Sequence, residues 1–89
     1  MKQYIELVDR YTTLAKDPSS AGVSAVVTLS ELMRQKGPEE TASRLNKLLG
    51  ETKDATVQRA IRLQLIDVYK TSNQTDKAIE QAEILIRGQ

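Results

Sequence analysis

The stretch Val23–Gly50, VSAVVTLSELMRQKGPEETASRLNKLLG, returns 36 residues later as Arg59–Ile86, RAIRLQLIDVYKTSNQTDKAIEQAEILI. In this register Leu29 falls on Leu65, Leu32 on Val68, Met33 on Tyr69 and Gly37 on Asn73. Glu40 then falls on Asp76, Ala42 on Ala78 and Leu49 on Leu85. Each copy carries apolar residues at three- and four-residue steps, then a break, then a second such stripe. That is the pattern of helix, tight turn, helix. Self-similarity at this period marks stacked helical hairpins, which present a surface to a partner and do no chemistry of their own.

Working outward, residues 2–16 carry Tyr4, Leu7, Val8, Tyr11, Leu14 and Ala15 as one amphipathic stripe, so a first helix is predicted there. Asp17-Pro18 ends it, because a residue before proline is pushed from the helical region. Ser19 or Ser20 is expected to cap a second helix over 21–36, which buries Val23, Val26, Leu29, Leu32 and Met33. Gly37 and Pro38 then make a turn into a third helix, 38–49, that Gly50 stops. Asp54 suits the N-cap of a fourth helix, 55–72, whose apolar residues run most of the way round, as in a helix covered on two sides. Asn73, three residues before Asp76, is expected to cap a fifth helix, 74–87. Five helices with short connections and no credible strand make one all-α domain, residues 1–89.

These residues resemble the tetratricopeptide repeat (TPR) family. In that pattern the first helix of a hairpin has a leucine followed four residues later by an aromatic. A glycine or asparagine makes the turn, and an alanine opens the second helix. Leu65, Tyr69, Asn73, Ala78 and Ala82 meet most of this, and Leu29, Met33, Gly37 and Ala42 follow it in the first copy. Tyr11 and Leu14-Ala15-Lys16-Asp17-Pro18 look like the closing half of a repeat. The resemblance implies half a repeat plus two repeats, as TPR-like antiparallel hairpins in a short right-handed α-solenoid. The chain departs from the pattern in its spacing of 36 rather than 34, in Ser30 and Ile66 where a small residue is usual, and in Asn46 where an apolar one is.

Composition narrows the function. The 89 residues contain no histidine and no cysteine, which removes the commonest general base, the thiol nucleophile and nearly all zinc or haem ligation. The four glycines are isolated, so no phosphate-cradling loop is present. Glu39 and Glu40 are adjacent and diverge on a helix, where they complement the dipole at its start. No catalytic, cofactor-binding or metal-binding residue is expected, and the chain is read as a non-enzyme. Net charge is +1 with both signs interspersed, which gives no field toward nucleic acid. No apolar run approaches the roughly 20 residues that span a bilayer. The expectation is a cytoplasmic protein with a protein or peptide partner, no nucleic acid and no membrane.

In TPR arrays the first helix of each hairpin lines the concave groove, so the resemblance implies partner-binding residues at Val27, Glu31, Arg34, Leu63, Asp67 and Lys70. Glu31 with Arg34, and Asp67 with Lys70, are also spaced to form ordinary surface ion pairs. The family's carboxylate clamp for chaperone tails needs a lysine and an asparagine where this chain has Val27 and Glu31, so that ligand is rejected. A solenoid needs polar end faces. Here the terminal helices carry Tyr4, Val8, Ile79 and Ile86, which leaves two readings: the array curls and packs these ends within the monomer, or they serve self-association, most simply as a homodimer. The competing reading is a helical oligomerisation or regulatory subunit that acts through these apolar ends.

Overall fold

The computed structural model describes residues 18–88. Within them the chain is all-helical, with four α-helices: α1 (Pro18–Met33), α2 (Pro38–Glu51), α3 (Ala55–Thr71) and α4 (Thr75–Ile86). A single 3₁₀ turn, Arg34–Lys36, closes α1. The helix predicted over 2–16 lies outside the described residues, and Tyr4 and Val8 lie there with it. Four of the five expected helices fall within the described residues, and all four are present there.

The architecture is organised around α3, which packs against α1, α2 and α4 in turn. That is why its apolar residues occur on more than one face. Leu45 of α2 and Ile61 and Leu65 of α3 are the largest fully buried side chains. Val26, Ala42, Ala60, Tyr69 and Ala78 complete the core around them. Burying a leucine or isoleucine completely contributes about 1.5–3 kcal/mol, so these three side chains carry much of a small domain's cohesion. Small residues set the close approaches. A Cβ on Gly22 would stand 2.6 Å from Val57 Cγ2, so any side chain there would force Val57 or α1 to shift.

Local chemistry sets the ends. Asp54 caps α3 as expected: its carboxylate accepts hydrogen bonds from Thr56 N–H (2.8 Å) and Val57 N–H (3.2 Å). It also accepts from the Ser19 hydroxyl at 2.5 Å, which ties the start of α1 to the start of α3. The Ser19 hydroxyl foremost, then the Val57 N–H, hold the Asp54 carboxyl below its ordinary pKa, outweighing a partial desolvation that raises it. Gly37 has φ 95° and ψ 163°, a backbone state in effect reserved for glycine. Asn73 has φ 60°, in the left-handed region that asparagine tolerates.

Several boundaries differ from expectation. Ser19 and Ser20 sit inside the first turn of α1, which begins at Pro18, a residue pre-organised for a first helical position. Gly50 does not stop α2. The helix runs on to Glu51 and ends where Thr52 becomes extended, its N–H bonded to Leu48 O. Asn73 is a turn residue and not a cap; the cap position of α4 is Gln74, which makes no side-chain cap bond. Leu32, expected in the core, is 68% exposed, because α1 meets α3 along the Val26 and Ser30 side.

Candidate functional site

A cleft of about 580 Å³ separates α1 from α3, closed at one end by the Gly37-Pro38 turn. One wall is Val27 and Glu31 of α1 with Arg34 of the following turn, and the other is Gln64, Asp67 and Thr71 of α3. Residues 27, 31 and 34 recur at helical steps and so share a face, as 64, 67 and 71 do across the cleft. The end wall is built by Thr41, whose buried hydroxyl shares its one hydrogen between Gly37 O (2.8 Å) and Met33 O (3.1 Å). Those bonds fasten the start of α2 to the end of α1 and hold the turn in place.

Of the six residues assigned to a groove, four line this cleft: Val27, Glu31, Arg34 and Asp67. Leu63 and Lys70 do not. On α3 the cleft takes Gln64, Val68 and Thr71, one helical position round from the expected face. Leu63 is 57% exposed and away from the cleft. The ion pairs open to Glu31–Arg34 and Asp67–Lys70 do not form, and no salt bridge occurs among the described residues. The cleft therefore carries two unpaired carboxylates and one unpaired guanidinium beside the exposed Val27.

Two site residues were not legible in the sequence. Ser30 lines the cleft, and its hydroxyl is buried with no hydrogen-bond partner. An unmet buried hydroxyl costs about 1–3 kcal/mol, and interiors satisfy nearly all such groups. Thr41 is buried and fully bonded, and only the path of the turn explains it. A serine amid an apolar stripe and a threonine in a first helical turn gave no hint of either.

Elsewhere, a wider depression runs between the start of α2 and the α3–α4 turn, flanked by Lys36, Glu39, Glu40 and Lys77. Its floor is already occupied chemically: Asn46 Nδ2 donates to Tyr69 Oη (3.0 Å), and Lys77 Nζ stands 5.7 Å from the Tyr69 ring centroid. Arg62 bridges α3 to α4 through its Nη1, which donates to Gln81 Oε1 at 2.8 Å. Ile79 and Ile86, the described residues marked for self-association, are 51% and 83% exposed on α4. Among the described residues no three acidic side chains gather to hold a metal ion, and no helix is long and apolar enough to cross a membrane. The chain matches no family model, no curated protein and no solved structure.

Proposed function

We propose that this chain is a non-catalytic, cytoplasmic protein-interaction module that takes a peptide or helix of a partner into the α1–α3 cleft. In this reading the hairpins stack as a short TPR-like right-handed solenoid, and the cleft is its concave side. The observation that carries the proposal is the meeting of exposed Val27 with unpaired Glu31, Arg34 and Asp67 on facing walls. Unpaired charges beside an apolar spot cost little in water and discriminate between partners by complementarity. A segment seated there, with an apolar side chain on Val27 and a cationic one between Glu31 and Asp67, would use every one of these groups. Binding at the start of α2 would also offer a partner to the Ser30 hydroxyl.

The test starts from peptides selected from a random library on the purified full chain, their affinities then measured by calorimetry. Asp67→Lys is expected to weaken the selected peptides about tenfold or more, the loss of a charged contact that approaches desolvation. Lys70→Glu and Leu63→Ala are expected to leave affinity within about twofold, since surface changes outside a site are near neutral. The reverse ranking would remove the cleft from the proposal.

A second reading is favoured by Ile79 and Ile86, whose exposure is unusual for isoleucines on one short helix. In it, α4 is the interface of a homodimer and the protein is an assembly or regulatory subunit. Light scattering separates the two readings. A mass near 9.9 kDa across micromolar to millimolar concentration supports the cleft. A doubled mass that Ile79→Ala with Ile86→Ala abolishes supports assembly.

A further inference from the structure

A second depression, sharing no residue with the cleft, opens where α1, the end of α2 and the start of α3 meet. It encloses about 310 Å³ and is apolar almost throughout. Val26 and Ile61 form its buried floor, and Ala25, Leu29, Leu48 and Val57 its rim. The rim continues along α1, because Ala25, Leu29 and Leu32 recur at four- and three-residue steps and make one stripe. That stripe is open: Ala25 is exposed, Leu29 half-buried and Leu32 68% exposed. Thirty-six residues on, the equivalent stripe of α3 is Ile61, Leu65 and Val68. It is more fully covered, with Ile61 at 1% and Leu65 at 0% exposure and Val68 half-buried where it lines the cleft. Part of that cover is α2, the segment that precedes α3 in the chain.

We infer that the groove and the α1 stripe are the docking surface for residues 1–17 of this same chain. Three observations identify the occupant. The first is where the segment joins: Pro18 opens α1 beside Ser19, which is bonded to Asp54, and Asp54 lies between the groove residues Thr52 and Val57. The segment therefore enters at the mouth of the groove. The second is length. The fifteen residues 2–16 cover about 22 Å as a helix, against about 16 Å of α1 from Pro18 to Leu29. The third is chemistry. Leu7, Tyr11 and Leu14 repeat at the same four- and three-residue steps as Ala25, Leu29 and Leu32, so one apolar stripe meets another. The proline at 18 disfavours a continuous helix through residue 17, which is what a segment turning back along α1 would require. In this arrangement residues 1–17 stand to α1 as α2 stands to α3, and the groove is an intramolecular seat, not a ligand site. The inference uses none of the cleft residues and stands apart from the function proposed for them.

The experiment uses the full chain, which contains no cysteine. Ala25→Cys places one thiol on the exposed rim of the groove, where the substitution leaves the core intact. Its rate of reaction with a thiol reagent is compared with that of the same variant carrying Leu7→Asp and Leu14→Asp. The docked segment is expected to slow labelling about tenfold or more relative to the aspartate variant. Nuclear Overhauser contacts from the Tyr11 ring and Leu14 methyls to Leu29 and Val57 methyls are expected in the unsubstituted protein, which needs no variant to fold. Equal labelling rates together with absent contacts would overturn the inference. So would protection that grows with protein concentration and contacts that cross between differently labelled chains, because the occupant would then be a second copy.

Discussion

In the second copy of the repeat Leu65 is fully buried and the Tyr69 hydroxyl is held by Asn46; in the first, the equivalent Leu29 is half-buried and the Met33 side chain makes no polar link. The packing differs in the same sense. The helices of the second copy, α3 and α4, lie against each other along their length, whereas α1 of the first copy rests on α3 more than on its own partner α2. The turns differ too. Gly37 at φ 95° and ψ 163° and Asn73 at φ 60° occupy the same place in the repeat and two different backbone states. Similar residues at a fixed period can thus specify the same elements and still assemble them differently. The second copy is a packed hairpin, whereas in the first α1 leans on α3, and the cleft lies between those two helices.

The sharpest way to break this comparison is to truncate the equivalent leucines. Leu65→Ala leaves a cavity in a fully enclosed site and is expected to cost about 3 kcal/mol. Leu29→Ala removes a side chain that the described helices only half cover, and is expected to cost about 1 kcal/mol, or more where residues 1–17 seat on it as inferred above. Urea denaturation of both variants reads the two values, and equal losses would mean that the copies are energetically alike. Next in size are the turns. Gly37→Ala has open space for its Cβ, so its whole cost is backbone strain, about 2 kcal/mol. Asn73→Gly, at a position both residues tolerate, is expected to change stability by no more than about 0.5 kcal/mol. Similar costs at both sites would make the turns equivalent.

Much of the fold was legible before the structure. Periodicity located four of the helices within a few residues, and Asp54, Gly37 and the apolar girth of α3 were read correctly from residue type. What failed was rotational detail. Periodicity says that Leu63, Asp67 and Lys70 share a face, and says nothing about which face meets α1. That depends on the inter-helix angle, which the lean of α1 on α3 sets. The same limit misplaced Leu32. It also hid Ser30, because a buried hydroxyl without a partner follows from packing and has no signature in local sequence. On α1 residues 27, 31 and 34 do stand together on one wall of the cleft.

A smaller effect separates the copies through their polar links. Tyr69→Phe removes the bond from Asn46 Nδ2 while Asn46 keeps its bond to Ala42 O. The expected loss is about 1 kcal/mol by thermal or urea denaturation. Met33→Leu, the matched change in the first copy, preserves volume without touching a hydrogen bond and is expected to cost less. A larger effect at Met33 would show that the first copy is held more tightly than its geometry indicates.

The smallest effect tests the bond that ties the start of α1 to the start of α3, Ser19 to Asp54. Folding lowers the Asp54 pKa, chiefly through the Ser19 hydroxyl, so the folded chain binds its proton less tightly than the unfolded chain does. Stability from the ionised carboxylate is then fully present above the ordinary carboxylate range and is lost as pH falls through the lowered value. Asp54→Asn keeps an acceptor for the Thr56 and Val57 N–H groups and removes only the charge. The parent is therefore expected to be the more stable of the two at neutral pH, with the difference shrinking on acidification. Ser19→Ala should reduce that pH dependence, because it removes the leading cause of the shift while leaving the cap in place. A gap between parent and Asp54→Asn that holds constant from neutral to acid pH would mean the carboxylate contributes only as a neutral acceptor.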